Sequence, residues 1–109
     1  MAQGKYQIYK DRSGKFRFRL LAGNLQPILS SEGYKTKAAC KNGIASVKKN
    51  ASNKNRYIVN KAKNSKVYFN LVAGNKEVVG SSQMYKTRDT LRKGRDSVIR
   101  NAKSPFEEL

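Results

Sequence analysis

The sequence predicts an α+β domain built from one βββα unit written twice. Three observations predict it. Residues 5–51 laid over residues 56–102 at a constant offset of 51 agree at 18 of 47 positions without a gap. Each copy opens on segments that alternate apolar and polar residues with period two, as half-buried strands do. Each copy then changes, after a threonine, to a helical period. With 109 residues the chain is sized for a single domain, 1–109. A copy of roughly half that length is marginal as an independent fold. Repeat one (5–52) and repeat two (56–103) are therefore expected to share one core, followed by a C-terminal segment, 104–109. The joint Ser52-Asn53-Lys54-Asn55 is short and polar and reads as a loop.

Tyr6 to Lys10 reads as the first strand and Asp11-Arg12-Ser13-Gly14 as a turn. In Phe16-Arg17-Phe18-Arg19-Leu20 the apolar side chains face one way and the arginines the other. The twin segment agrees, with Val67, Phe69 and Leu71 inward and Tyr68 and Asn70 outward. Gly23-Asn24 and Gly74-Asn75 make the next turns. Pro27 to Ser31 and Val78 to Ser82 complete an antiparallel meander in each copy. Thr36 and Thr87 suit N-caps, because a threonine oxygen accepts a free first-turn N–H. Asp89 in the first turn of the second helix suits the dipole there. Ala39, Cys40, Gly43, Val47 and Ala51 form one apolar stripe, and Thr90, Leu91, Gly94, Val98 and Ala102 repeat it. A glycine inside a helix costs roughly 1 kcal/mol relative to alanine. Its recurrence at Gly43 and Gly94 implies close approach of helix to sheet. Tyr34 and Tyr85 read as staples of the strand-to-helix corner rather than as ligands.

The pattern F-x-L-x-A-G-N … S-S-x-x-Y-K-T … G-x-x-S-V-x-x-N-A stands in both halves. It resembles the YegP-like family of small bacterial proteins over nearly the whole chain. The resemblance implies a two-layer fold: two tandem βββα repeats sharing one antiparallel sheet, with both helices packed on one face. It also implies that a strand following a helix can cross into the partner unit's part of the sheet. The segments after the helices here are Arg56–Asn60 and Ser104–Leu109. The family has no established activity, so the resemblance carries the fold and not a function. Its members are often nearer neutrality, which places this chain's role in its added charge.

That charge is +17, with a pI of about 10.3. Residues 1–52 carry 11 Lys/Arg against 2 Asp/Glu, and residues 53–109 carry 13 against 5, so no basic tail hangs from a neutral body. Such a charge opposes the compact state by self-repulsion, and a polyanionic partner is expected. Cys40 is the only cysteine, which excludes an intrachain disulfide and suits a reducing compartment. The N-terminus Met1-Ala2-Gln3-Gly4-Lys5 lacks a signal-peptide stretch, and no apolar run nears the roughly 20 residues of a membrane span. A soluble, cytoplasmic protein is expected, with no membrane partner.

Helical projection places Lys37, Lys41 and Lys48 on one stripe of the first helix. Arg88, Arg92 and Arg95 hold the matching stripe of the second, and Lys49 and Arg100 are twins on the outer faces. The functional reading is a phosphate-gripping face, and the bland one a solvated helix surface. The sheet face away from the helices offers Arg17 and Arg19, with Tyr9 and Tyr68 as candidate base-stacking platforms. Alternatively these tyrosines cover strand backbone. The turns add Lys10, Arg12 and Lys15, and Lys61, Lys63 and Lys66, either as groove or backbone contacts or as ordinary hairpin tips.

Histidine is absent, and one cysteine without histidine excludes ordinary Cys/His metal sites and a Cys–His nucleophile. The seven carboxylates are scattered apart from Glu107 and Glu108, and no Gly-rich phosphate loop occurs. No catalytic residue, cofactor or metal is expected. Charge, size and missing catalytic groups point first to a structured-RNA binder, a small ribosomal component or tight ribosome associate contacting rRNA phosphates beside neighbouring ribosomal proteins. Non-specific binding of double-stranded DNA, or a protein–protein interaction module, is the alternative.

Overall fold

Alternate residues of the Tyr6, Phe18 and Phe69 strands go under, whereas the third strands bury the adjacent pairs Ile28-Leu29 and Val79-Gly80. In the computed structural model, which describes residues 4–109, Phe18 and Leu20 are fully buried while Arg17 and Arg19, which alternate with them, stay half-exposed. Phe69 and Leu71 are buried in the same way beside Tyr68 and Asn70. The elements run β1 (Lys5–Lys10), β2 (Phe16–Leu21), β3 (Pro27–Ser30), α1 (Lys37–Asn50), β4 (Tyr57–Lys61), β5 (Val67–Val72), β6 (Val78–Ser81), α2 (Arg88–Asn101) and β7 (Phe106–Glu108). All seven strands join one sheet in the order β4-β5-β6-β3-β2-β1-β7. The repeats meet where β3 and β6 pair, at Ser30 and Ser81. This is the α+β architecture of two tandem βββα repeats on one sheet, with the helices covering one face.

The sheet is not antiparallel throughout. β7 lies parallel to β1, with Tyr6 opposite Phe106 and Ile8 opposite Glu108. The segment after α2 thus crosses into repeat one. The segment after α1 instead makes a short 3-10 turn at Lys54–Arg56 and runs into β4.

One hydrophobic cluster joins both copies, from Phe18, Leu20, Cys40, Ile44 and Val47 to Phe69, Leu71, Leu91 and Val98. Within each copy three rings stack in sequence. Phe18 meets Tyr6 edge-on at 5.9 Å and Tyr34 face-to-face at 6.4 Å. Phe69 meets Tyr57 and Tyr85 likewise, at 5.2 Å and 6.5 Å. The helical glycines belong to this stack: a Cβ on Gly43 or Gly94 would run into the hydroxyl end of Tyr34 or Tyr85. The close approach expected of helix and sheet is therefore an approach of helix to the corner tyrosine. The repeats interlock through the first ring of each stack. Tyr6 donates its hydroxyl to the carbonyl of Ala102 at the end of α2, and Tyr57 donates to Ala51 at the end of α1, both at 2.6 Å.

Both threonine caps form, with Thr36 and Thr87 accepting from the N–H of Ala39 and Thr90. Thr90 is exposed and closes a capping box, so it does not extend the buried stripe of its twin Ala39. The third strands end one residue early, because Ser31 and Ser82 turn their hydroxyls to the Phe18 and Phe69 N–H groups, each at 2.9 Å. In the Gly-Asn turns the left-handed residues are Leu25 (φ 66°) and Lys76 (φ 69°), not the glycines. Asn24 and Asn75 impose this by accepting from the backbone N–H two residues on.

The copies must differ at the axis where β3 meets β6. Leu29 is buried there, and its twin is Gly80, whose Cβ would lie 2.8 Å from the Leu29 side chain. Two leucines cannot share that space. Gly80→Leu should lower stability by about 1–3 kcal/mol through overpacking. Leu29→Gly should cost at least the ~2–5 kcal/mol of a leucine-to-alanine cavity. The exchanged double variant should lose clearly less than the two singles added together, and urea melts of the four proteins measure this coupling.

Candidate functional site

Seven carboxylates serve 24 basic side chains, so most of the positive charge has no internal partner. Among the described residues six of the 24 lie within 4 Å of a carboxylate: Lys5, Arg17, Lys37, Lys41, Arg92 and Arg95. Several candidates from the sequence fall in this engaged group.

The α1 stripe is occupied from a distance. Glu108 of β7 takes Lys37 at 3.3 Å and Lys41 at 3.1 Å, and the Lys41 ammonium also sits 5.4 Å above the Phe106 ring. Lys48 lies half-buried above the Tyr6 ring at 5.8 Å. α1 contains no acid of its own, and the acid that answers it comes from the far end of the chain. Lys49 remains exposed without an ion pair. On α2, Arg92 pairs with Asp89 at 2.9 Å and half-buried Arg95 with Asp96 at 3.4 Å. Arg88 and Arg100 are exposed and without such a partner.

On the open sheet face the arginines form an internal network. Arg17 Nε donates to Asp11 at 2.7 Å, and Arg19 Nε donates to Gln7 at 2.8 Å while stacking 4.8 Å from the Tyr9 ring. The Arg17 guanidinium, helped by Ser13, holds the Asp11 carboxyl well below the usual carboxylate range. Tyr9 is thereby covered by a side chain of its own sheet, which removes it as an open platform for a base. Tyr68 is half-buried opposite Asn60. Arg17, Arg19 and Tyr9 are better described as surface structure than as ligands.

The turn cations Arg12, Lys15, Lys61, Lys63 and Lys66 are exposed, and exposed Lys10 sits 5.5 Å from the Phe16 ring. Successive antiparallel pairings put the β1–β2 and β4–β5 tips at opposite ends of the sheet, so the fold does not gather them. Sequence reasoning passed over exposed Lys93 on α2 and the twins Lys35 and Lys86 at the corners. The twin identity of Lys35 and Lys86 was the available signal. Cys40 is free and buried, and burial pushes its thiol up, away from a reactive thiolate. No helix is long and apolar enough to cross a membrane, and no group of three or more His, Cys, Asp or Glu that could hold a metal occurs among the described residues.

The tail clamp is pH-sensitive by its construction. Hydrogen bonds from Gln7 and then Lys5 lower the Glu107 carboxyl, and bonds from Lys41 and then Lys37 lower Glu108. A lowered carboxylate adds stability that is complete above the ordinary carboxylate range and is lost as pH falls through the depressed value. Backbone NMR shifts of Phe106–Leu109 should move toward random-coil values as pH drops from about 5 to about 2. Glu107→Gln/Glu108→Gln should loosen the tail at neutral pH and flatten that transition.

The family model described as "Domain of unknown function (DUF1508)" matches residues 11–57 and again 62–105, one match per repeat. The "UPF0339 protein in ptx operon 5'region" of Stutzerimonas stutzeri is 50% identical over 99 residues, spanning 91% of this chain and 89% of that protein. The solution NMR structure of the E. coli "protein of unknown function yegP" superposes with a TM-score of 0.92 at 39% identity, over 99% of this chain and 94% of that one. The UPF0339 protein of Shewanella oneidensis superposes with a TM-score of 0.92 at 41% identity, over 98% and 92%. These relatives correct one expectation. A chain this similar to uncharacterised UPF0339 proteins is not to be labelled a ribosomal, rRNA-binding or RNA-binding protein. The physical reason is that a high positive charge suits any polyanion and selects none.

Proposed function

This chain belongs to the DUF1508 family, whose description names no activity, and from its own surface we propose that it binds the phosphate backbone of double-stranded DNA without reading sequence. The observation that supports this reading is the uncompensated charge: exposed Lys49, Arg88, Lys93 and Arg100 on the helices, with Lys35 and Lys86 at the corners. Like cations spread over both copies suit a regular row of phosphates. Duplex contact fits better than single-strand contact because, of the two candidate stacking rings on the open face, Tyr9 is held under Arg19 and Tyr68 is half-buried. Phosphate contacts position a protein but carry no sequence information. Binding is therefore expected to be insensitive to base composition.

Fluorescence anisotropy with a labelled 24-bp duplex of mixed sequence tests this (duplex length on the order of two turns of helix). Affinity should fall steeply between about 50 and 200 mM salt. Lys49→Glu/Arg100→Glu, changing exposed positions only, should weaken binding and reduce the salt slope by about 2 if both side chains meet phosphates. Two duplexes of opposite base composition should bind alike. Absence of binding at low salt, or a slope unchanged by the double variant, overturns the proposal.

A further inference from the structure

The internal repeat supplies a comparison between two sheet edges. At one, β1 is covered by β7: Tyr6 N–H donates to Pro105 O at 2.9 Å and Leu109 N–H to Ile8 O at 2.8 Å. The cover is held by charge, with Glu107 on Lys5 and Glu108 on Lys37 and Lys41. At the other edge stands β4, the twin of β1, and no strand pairs with its outer side among the described residues. Ile8 under β7 is 2% exposed, whereas its twin Val59 is 39% exposed, although both face the same layer, opposite Phe18 and Phe69.

The two sites start alike and then part. Lys54, the twin of Pro105, accepts from Tyr57 N–H as Pro105 accepts from Tyr6. From there repeat two continues as β7, while repeat one turns into β4 and leaves the lane beside Ile58–Lys61 empty among the described residues. The cations that grip the tail are nonetheless kept. The offset puts Arg88 and Arg92 on α2 where Lys37 and Lys41 stand on α1. Arg88 is exposed and has no ion-pair partner among the described residues. Arg92 holds Asp89 in an exposed pair, which an incoming carboxylate can replace at small cost.

We propose that the β4 edge is a second acidic-strand site, taking an extended acidic segment of a partner protein laid parallel to β4. One carboxylate of that segment aligns with Val59 beneath Arg88 and Arg92, and the next N–H donates to the Val59 carbonyl, as Glu108 and Leu109 do on Ile8. Main-chain pairing supplies affinity and the arginines supply selection for acid. The partner is a different protein rather than a second copy, because each copy's tail is already held on its own β1 by Lys5, Lys37 and Lys41. Arg88 belongs to both this site and the charge assigned to DNA, so the site is tested with peptide alone, in the absence of DNA.

The test is NMR titration of the full chain with the synthetic peptide Ser-Pro-Phe-Glu-Glu-Leu, and with its counterpart carrying Gln in place of both Glu. The acidic peptide should shift the amides of Val59–Lys61 and the side-chain N–H signals of Arg88 and Arg92. The Gln peptide should bind at least tenfold more weakly. Val59→Pro removes an outward N–H on an edge strand and should abolish the shifts with β7 still paired to β1. Should that variant misfold, Arg88→Glu/Arg92→Glu must weaken the acidic peptide and spare the neutral one. Shifts at β1 and β7 instead, equal binding of both peptides, or no shifts at millimolar peptide overturn the proposal. So does a dimer of the free protein with a protected Val59 amide, which would give the edge to a second copy.

Discussion

Two buried hydroxyls hold this molecule in one piece. A helix leaves carbonyls unpaired at its C-terminal end, and here the Ala51 and Ala102 carbonyls accept from a tyrosine of the opposite repeat. Tyr6 is fully buried and Tyr57 nearly so, and burial drives both phenols well above their ordinary range, so they stay donors at any ordinary pH. Each bond is worth only about 1 kcal/mol net, but a buried carbonyl left empty costs about 1–3 kcal/mol. Because each tyrosine also begins its own ring stack, the bond couples one repeat's sheet to the other's helix. Neither copy completes its polar pairing alone, which is why the repeat folds as a pair.

The same reciprocity explains the charge. The tail that follows α2 crosses to β1 and brings Glu107 and Glu108 against Lys5, Lys37 and Lys41. A stripe that looks unopposed along α1 is therefore partly neutralised, and the free charge lies on the outer helix faces, the corners and the hairpin tips. The open sheet face is quieter than its composition suggests, since Arg17 and Arg19 satisfy Asp11, Gln7 and the Tyr9 ring.

Where the two copies differ, the reason lies at the pseudo-twofold axis or at the chain's continuity. Leu29 fills the axis and Gly80 makes room for it. Repeat one must run on into repeat two, so its post-helix segment turns at Lys54–Arg56 where the second copy's segment lies flat as β7. That single consequence of connectivity covers one edge of the sheet and leaves the other bare among the described residues.

The sequence by itself determined the repeat, the strand faces around Phe18 and Phe69, the threonine caps and the corner tyrosines. Each of these is a local pattern of period two, period 3.6 or exact recurrence, and its physics acts within a few residues. Only the tertiary structure decided the seat of Tyr34 on Gly43, the parallel pairing of β7, and which cations are free. Lys37 and Glu108 lie 71 residues apart, and no periodicity relates them. Tyr9 read as a possible platform because alternation gives its face but not the arginine that covers it. Leu25 and Lys76 took the left-handed positions beside the glycines because an asparagine side chain bonds the following backbone, a constraint stronger than glycine's freedom. Side-chain direction follows from local geometry, but side-chain company depends on which strands the whole chain brings together.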